Sequence, residues 1–190
     1  MKKNNGLLSY EDLIILVNEG VITAPISNVN GSSIDVRIGN KLLVESTLKG
    51  SFECFKKVKL TDKEGSLDFD EFEIGDEGYD MLPGQFLLAH TIEVFNLPND
   101  ISAEFKLKST SARYGLNHAL AGWCDATWHG SVLTLELKNN TQNHILTIER
   151  EMKIGQLIFY RHEPVPDKVS YKSVGRYNKN DTVTAGKPLE

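Results

Sequence analysis

The sequence predicts a mainly β chain, a compact barrel or sandwich with one helix near its N-terminus. Three observations carry this. Short segments alternate apolar and polar residues, the pattern of half-buried strands. Gly-Asn, Pro-Gly, Pro-Asn-Asp and Asn-Asn turns punctuate them. Helix start and stop signals occur together once, before the first strand.

The elements follow in order. Ser9 is a candidate N-cap, Glu11 and Asp12 suit the first turn, and Gly20 can close the helix. Leu13 to Val17 form a dense apolar block, so this helix is expected to be well buried. In "SIDVRIG" Ile34, Val36 and Ile38 alternate with Asp35 and Arg37, two charges expected to form a wet or interfacial pair. "FECFKKVKL", "QFLLAHTIEVF", "ISAEFKLK", "SVLTLELKN", "HILTIE" and "IGQLIFYRH" are the further strand candidates. Between Asp62 and Asp80 nine carboxylates stand against one lysine, the composition of a solvated surface excursion. From Pro164 to Glu190 the chain is polar, which predicts a C-terminal tail that stays mobile until something binds it.

The 190 residues fit a single domain with a sizeable core. A net charge of −5 argues against a nucleic-acid binder but allows a local basic pocket for phosphates. No stretch approaches the ~20 apolar residues of a membrane span, and no signal peptide is recognisable. The expectation is a cytoplasmic protein with reduced thiols. The two cysteines, Cys54 and Cys124, are too far apart for a CxxC zinc site.

The chemistry concentrates in "KSTSARYGLNHALAGWCDATWHGSVLTLELKN". Lys108, Ser109, Thr110, Ser111 and Arg113 place two cations and three hydroxyls within six residues. Such a set suits a polyphosphate, and equally suits a polar loop with solvated charges. In the strand that follows, Leu133, Leu135 and Leu137 share one face; Val132, Thr134, Glu136 and Lys138 share the other. If the leucines face the core, Glu136 faces solvent, an interface or a pocket. In a pocket it is a candidate general base or acid. His118 and His129 read as structural histidines, and Trp123 and Trp128 either line a base pocket or pack a core.

Taken together, these pieces resemble the dCTP deaminase branch of the trimeric dUTPase-like family over nearly the whole chain. "GSSIDVRIGNKL", "LPGQFLLAHTIEVFNLPNDISA", "KSTSARYGL", "AGWCDATWHGSVLTLELKN", "IGQLIFYR" and "GRYNKND" follow the family's motifs in order and spacing. The resemblance implies a dUTPase-like distorted β-barrel or jelly roll with an N-terminal helix. It implies zinc-independent hydrolytic deamination of dCTP to dUTP and ammonia, or a bifunctional enzyme that also cleaves dUTP. A pure dUTPase or a non-catalytic nucleotide-binding protein are the remaining alternatives.

Roles transfer by matching residues. Glu136 takes the place of the catalytic glutamate. Ser109 and the Ala121 carbonyl match the groups that hold the attacking water, and Arg113 matches an arginine at the reacting base. Lys108 and Arg176 fall at phosphate contacts, Thr110 at a further nucleotide contact, and Asp125 at the reader of the deoxyribose hydroxyl. Tyr171, Tyr177 and Asn180 belong to a tail that closes over the nucleotide. The resemblance also implies a homotrimer with shared sites, Mg²⁺ carried on the triphosphate, and no protein-bound metal.

The chain departs from the pattern in four places. The family's Asp-Pro-Gly turn reads Asp125-Ala126-Thr127, and Asn180 stands where a glutamine is common. One residue is missing before His118 and one is extra between Asp125 and Glu136. An extra residue flips a strand's facing unless a bulge absorbs it.

Overall fold

The computed structural model describes residues 5–46, 55–62 and 67–189. Cys54 and the start of the "FECFKKVKL" segment lie outside the described residues.

The chain begins with β1 (Gly6–Leu7) and α1 (Tyr10–Asn18). Ser9 caps α1 through a reciprocal box with Asp12. The Ser9 hydroxyl accepts from the Asp12 N–H at 3.3 Å, and the Ser9 N–H donates to Asp12 Oδ2 at 3.2 Å. Such a cap is worth about 1 kcal/mol. The helix is less buried than its composition suggests. A helical period can bury only one stripe of a five-residue apolar run, so Leu13 and Leu16 are buried while Ile15 is exposed.

Next come β2 (Ile34–Arg37), β3 (Lys41–Glu45), β4 (Phe69–Glu73), β5 (Tyr79–Met81), β6 (Phe86–Asn96) and β7 (Ile101–Leu107). A short helix α2 (Ser109–Arg113) leads to β8 (Leu116–His118), β9 (Trp123–Cys124), β10 (His129–Asn139), β11 (Leu146–Ile148) and β12 (Lys153–Arg161). One-turn α3 (Tyr171–Val174) opens the tail. So α1 is accompanied by two short helices that carry no periodic signal.

The strands form two antiparallel five-stranded sheets and a β11–β5 ribbon. In the first sheet β12 is flanked on one side by β7 and then β9. Its other edge takes β2 and then β1. The second runs β4-β3-β6-β10-β8. The sheets are stitched where Ile38 bridges Thr91, but they do not close into a barrel. Between them lies one core that includes Leu13, Val36, Phe95, Leu135, Leu137 and Phe159.

Three expectations are corrected. Asp35 and Arg37 do not pair with each other. Burial would raise the Asp35 pKa, but hydrogen bonds from Lys108, Asn30 and Lys153 outweigh it and hold the carboxyl below its ordinary value. Arg37 Nε instead meets Glu93 Oε1 at 2.9 Å, and that carboxylate is fully buried. The acidic stretch is not only an excursion, since it holds β4 on the sheet edge and β5. Charges along an edge strand discourage pairing with other chains. Residues 55–60 form no strand.

Candidate active site

A cavity of about 520 Å³ opens along the outer face of β10. Val132, Thr134 and Glu136 form its floor, with Phe86 and Leu88 of β6 beside them. Ala121, Asp125 and Trp128 form one wall, and the tail residues Tyr171, Tyr177, Asn180 and Lys187 another.

Two irregularities in the β10–β6 ladder put Glu136 there. His129 pairs with Asn96 but Ser131 with Phe95, so β10 carries one extra residue at Gly130, whose φ is +62°. That bulge lies between Asp125 and Glu136, where the sequence has its extra residue. Further along, Val132 pairs with Val94 and Thr134 with His90, so here β6 carries the excess. The Thr91 hydroxyl fills the gap, accepting from the Leu133 N–H and donating to the Glu93 carbonyl, both at 2.9 Å. Leu133, Leu135 and Leu137 therefore stay on the core side, and Thr134 and Glu136 face the cavity.

The Glu136 side chain is 27% exposed. Its Oε2 lies 3.2 Å from His118 Nε2, yet the two atoms are not aligned for a hydrogen bond, and neither has another partner among the described residues. His118 is itself buried and tilted against Phe105, with ring centres 4.7 Å apart. Read from sequence as a lone structural histidine, it sits instead against the candidate catalytic carboxylate. The end of β8 brings it there, because the next residue, Ala119, donates its N–H to the Glu136 carbonyl at 3.1 Å.

The loop from β8 to β10 is held by close approach and backbone strain. Gly122 lies so near β7 that a Cβ there would meet Phe105 Cβ at 2.8 Å, which fixes the neighbouring Ala121. Leu120 has φ +63° and is 89% exposed. Then comes the altered turn, in which the Trp128 N–H donates to the Asp125 carbonyl at 3.2 Å. Thr127 has φ +71°. That is the third position of a type II turn, where glycine is the ordinary occupant. The turn geometry thus survives without its proline and glycine.

Asp125 is exposed and accepts from Trp123 Nε1 at 2.9 Å. Trp128 is buried, stacks on Phe95, and donates its indole N–H to the Tyr177 carbonyl at 2.8 Å. Of the two tryptophans, Trp128 thus joins core to tail, while Trp123 is over half exposed and stacks loosely on Tyr160.

The tail lies across the cavity of its own chain. The Val132 N–H donates to the Asn180 carbonyl at 2.8 Å, the Lys179 N–H to the His129 carbonyl at 3.1 Å, and the Thr184 N–H to Thr134 Oγ1 at 3.3 Å. The Tyr177 N–H donates to the Tyr171 hydroxyl at 3.2 Å. Burial raises the pKa of that hydroxyl, so Tyr171 stays neutral. Lys187 places its ammonium 4.8 Å over the Tyr177 ring. Val183 is buried. Nothing in the composition of the tail signals these contacts, because most are made by its backbone.

The phosphate-type residues lie elsewhere. Ser109, Thr110 and Arg113 are exposed on α2, and none lines the cavity. Lys108 is tied to Asp35, with Nζ 2.6 Å from Oδ1. Arg176 is half-buried, accepts from the Lys187 ammonium through its carbonyl, and does not line the cavity. One chain therefore brings together Glu136, Ala121, Asp125, Tyr171, Tyr177 and Asn180. It leaves Lys108, Ser109, Thr110, Arg113 and Arg176 apart from them.

Cys124 lines the cavity, but burial, aided by the nearby Asp125 charge, pushes its thiol pKa far up, so it is a poor nucleophile. Among the described residues no three His, Cys, Asp or Glu side chains converge as a metal-binding group. Nor is any described helix long and apolar enough to cross a membrane.

Comparison with known proteins places this architecture. The crystal structure of 2'-deoxycytidine 5'-triphosphate deaminase from Agrobacterium tumefaciens superposes with a TM-score of 0.64 at 18% identity, covering 84% of this chain and 49% of that one. The alignment thus spans about half of that chain and shows the fold, which is the dUTPase-like one. Residues 7–162 match the model of the dCTP deaminase-like family. A Methanoregula boonei protein named "dCTP deaminase, dUMP-forming" is 34% identical over 160 residues, 84% of this chain and 82% of that one. Proteins of the same name from Aquifex aeolicus and Nanoarchaeum equitans are 36% and 32% identical, over 75% and 87% of this chain and 73% and 88% of theirs. The chain belongs to the dCTP deaminase-like family and is an enzyme of that kind.

Proposed function

We propose that the protein hydrolyses dCTP twice, at C4 of the base and between the α- and β-phosphates. One dCTP and two waters give dUMP, ammonia and pyrophosphate. Between the two deaminating readings, one that stops at dUTP and one that is bifunctional, the relatives' shared name "dUMP-forming" favours the second. The observation that carries the proposal is the placement of Glu136: a half-buried carboxylate on a cavity floor, without an aligned hydrogen bond among the described residues.

In this reading Glu136 takes a proton from water as it adds to C4 and delivers it to N3; the proton left on the added hydroxyl then passes to the exocyclic nitrogen, so that C4 becomes a carbonyl and ammonia leaves. Ser109 and the Ala121 carbonyl hold that water, and Arg113 stabilises the tetrahedral adduct. Asp125 reads the deoxyribose hydroxyl. Lys108, Thr110 and Arg176 take the phosphates, whose Mg²⁺ arrives with the substrate. Tyr171, Tyr177 and Asn180 close over the nucleotide. The sequence lacks the H-x-E…P-C-x-x-C signature of zinc deaminases, so the scheme assigns the proton work to Glu136.

Because α2 does not reach the cavity of its own chain, we assign Ser109, Thr110 and Arg113 to the cavity of a neighbouring chain. The assembly is a homotrimer with three shared sites, acting on the nucleotide pool of the cytoplasm.

The test is to supply dCTP with Mg²⁺ and assay ammonia and pyrophosphate separately. Equal yields support the proposal. Ammonia alone leaves a deaminase that stops at dUTP, and neither product from dCTP overturns the reading.

A further inference from the structure

We infer that Thr127 is a positioning residue, a latch that joins the Asp125–Trp128 turn to the tail. The inference uses the proposed function only in its activity measurement. A β-branched residue at φ +71° is unfavourable, because its Cβ crowds the backbone there. The sequence nevertheless keeps threonine where glycine would sit without strain. Its hydroxyl gives the reason. Thr127 Oγ1 accepts the Lys172 N–H at 2.9 Å, inside the single turn of α3. The Thr127 N–H meanwhile donates to the Pro98 carbonyl at 3.1 Å, which ties the turn to the end of the β6 connection. Thr127 does not line the cavity, but both of its neighbours in the chain of contacts do. Asp125 opens the same turn, and Tyr171 sits one residue before Lys172.

The consequence runs through the tail. With Lys172 held, Tyr171 presents its hydroxyl to the Tyr177 N–H and its carbonyl to Asn178 Nδ2 at 2.9 Å. Tyr177 in turn offers its carbonyl to Trp128 and Ser131. A glycine in the turn would remove the strain and release the first of these links. Backbone strain retained at a contact that positions a functional segment fits the common placing of such outliers at ligand clamps.

Three substitutions separate latch from scaffold. Thr127→Ser keeps both the hydroxyl and the strained φ, Thr127→Ala keeps only the strain, and Thr127→Gly keeps neither. The full-length protein is treated with trypsin without nucleotide, and cleavage at Lys172, Arg176 and Lys179 is followed by mass. The latch predicts that Ala and Gly variants lose the tail about five-fold faster than wild type, the shift expected for one ordinary hydrogen bond. Serine restores protection. The thermal midpoint should rank differently, with the Gly variant above the Ala variant. In the activity measurement the KM for dCTP should rise in Ala and Gly alike, and serine should reverse it. Cleavage that tracks the thermal midpoint, or an Ala variant cut at the wild-type rate, would overturn the inference. Should wild type fail to turn over dCTP, the proposed function falls and the proteolysis still decides the latch.

Discussion

Glu136→Gln isolates the proposed chemistry with little else disturbed. The substitution keeps the shape of the side chain and removes its proton-accepting charge. The carboxylate is 27% exposed and lacks an aligned hydrogen bond among the described residues, so the fold draws little stability from it. The change in unfolding free energy should stay under about 1 kcal/mol, as for substitutions outside a packed or paired network. Catalysis should respond differently. General acid–base transfer contributes ~10²–10⁴-fold, which is about 3–5 kcal/mol of barrier. The assay is ammonia release from dCTP under saturating and limiting substrate, alongside nucleotide binding by calorimetry. A fall in kcat by at least two orders of magnitude, with binding retained, is the expected result. Turnover within ten-fold of wild type would show that Glu136 is not the proton carrier, and the cavity would need another base.

Three further outcomes follow from the geometry. Mixing inactive Glu136→Gln and Arg113→Ala chains under subunit exchange should restore part of the ammonia release, since one site in the mixture can combine wild-type copies of both residues; no recovery from exchanged trimers, or a monomer by light scattering, would contradict shared sites. Deleting the chain after Ser170 should leave the sheets folded, as they are paired without the tail, but with little deaminase activity; full activity in the truncated protein would exclude a closing role for the tail. Burial holds the His90 pKa below its ordinary value, so below about pH 6.5 the unfolded chain binds a proton that the folded chain resists. Stability should therefore be complete above that pH and fall as the pH drops below it, and denaturant titrations at pH 7.5 and 5.5 should show a smaller loss in His90→Gln than in wild type.

Most of the architecture was legible from alternation. β6, β7, β10 and β12 lie where period-two segments are flanked by turn residues, and the Ser9–Asp12 box gives the start of α1. What was not legible depends on contacts remote in sequence. β4 hides in an acidic run because its charges face outward from a sheet edge, and its pairing with β3 is decided by neighbours rather than composition. Asp35 and Arg37, two residues apart on β2, find partners seventy-three and fifty-six residues away instead of each other. In the site, Glu136 was found from its place among the leucines, but its facing was undecidable from spacing. The bulge at Gly130 and the excess in β6 opposite Val132 and Thr134 fix it, and the glycine itself is the one signal the sequence held. His118 was passed over because its contact with Glu136 arises only where the end of β8 meets β10, eighteen residues on in the chain.

The chain order of the motif also bears on why a site of this kind would be shared. Lys108 to Asn139 is contiguous in sequence, yet its two chemical halves part in space. The pairing of Asn139 with Leu116 puts α2 beyond the C-terminal end of β10. Glu136 lies three residues back along the strand, at ~3.4 Å per residue about 10 Å away, and on the face that the tail covers. Lys108 is further anchored by its N–H to the Ile154 carbonyl and by its ammonium to Asp35, on the first sheet rather than the second. Bending α2 over its own cavity would break those ties and the β8–β10 pairing together. A second copy offers the exposed hydroxyls and guanidinium of its α2 without disturbing either. Under the proposed function, oligomerisation is then part of the active site itself. Dilution below the assembly's dissociation constant should abolish ammonia release while each chain keeps its β structure.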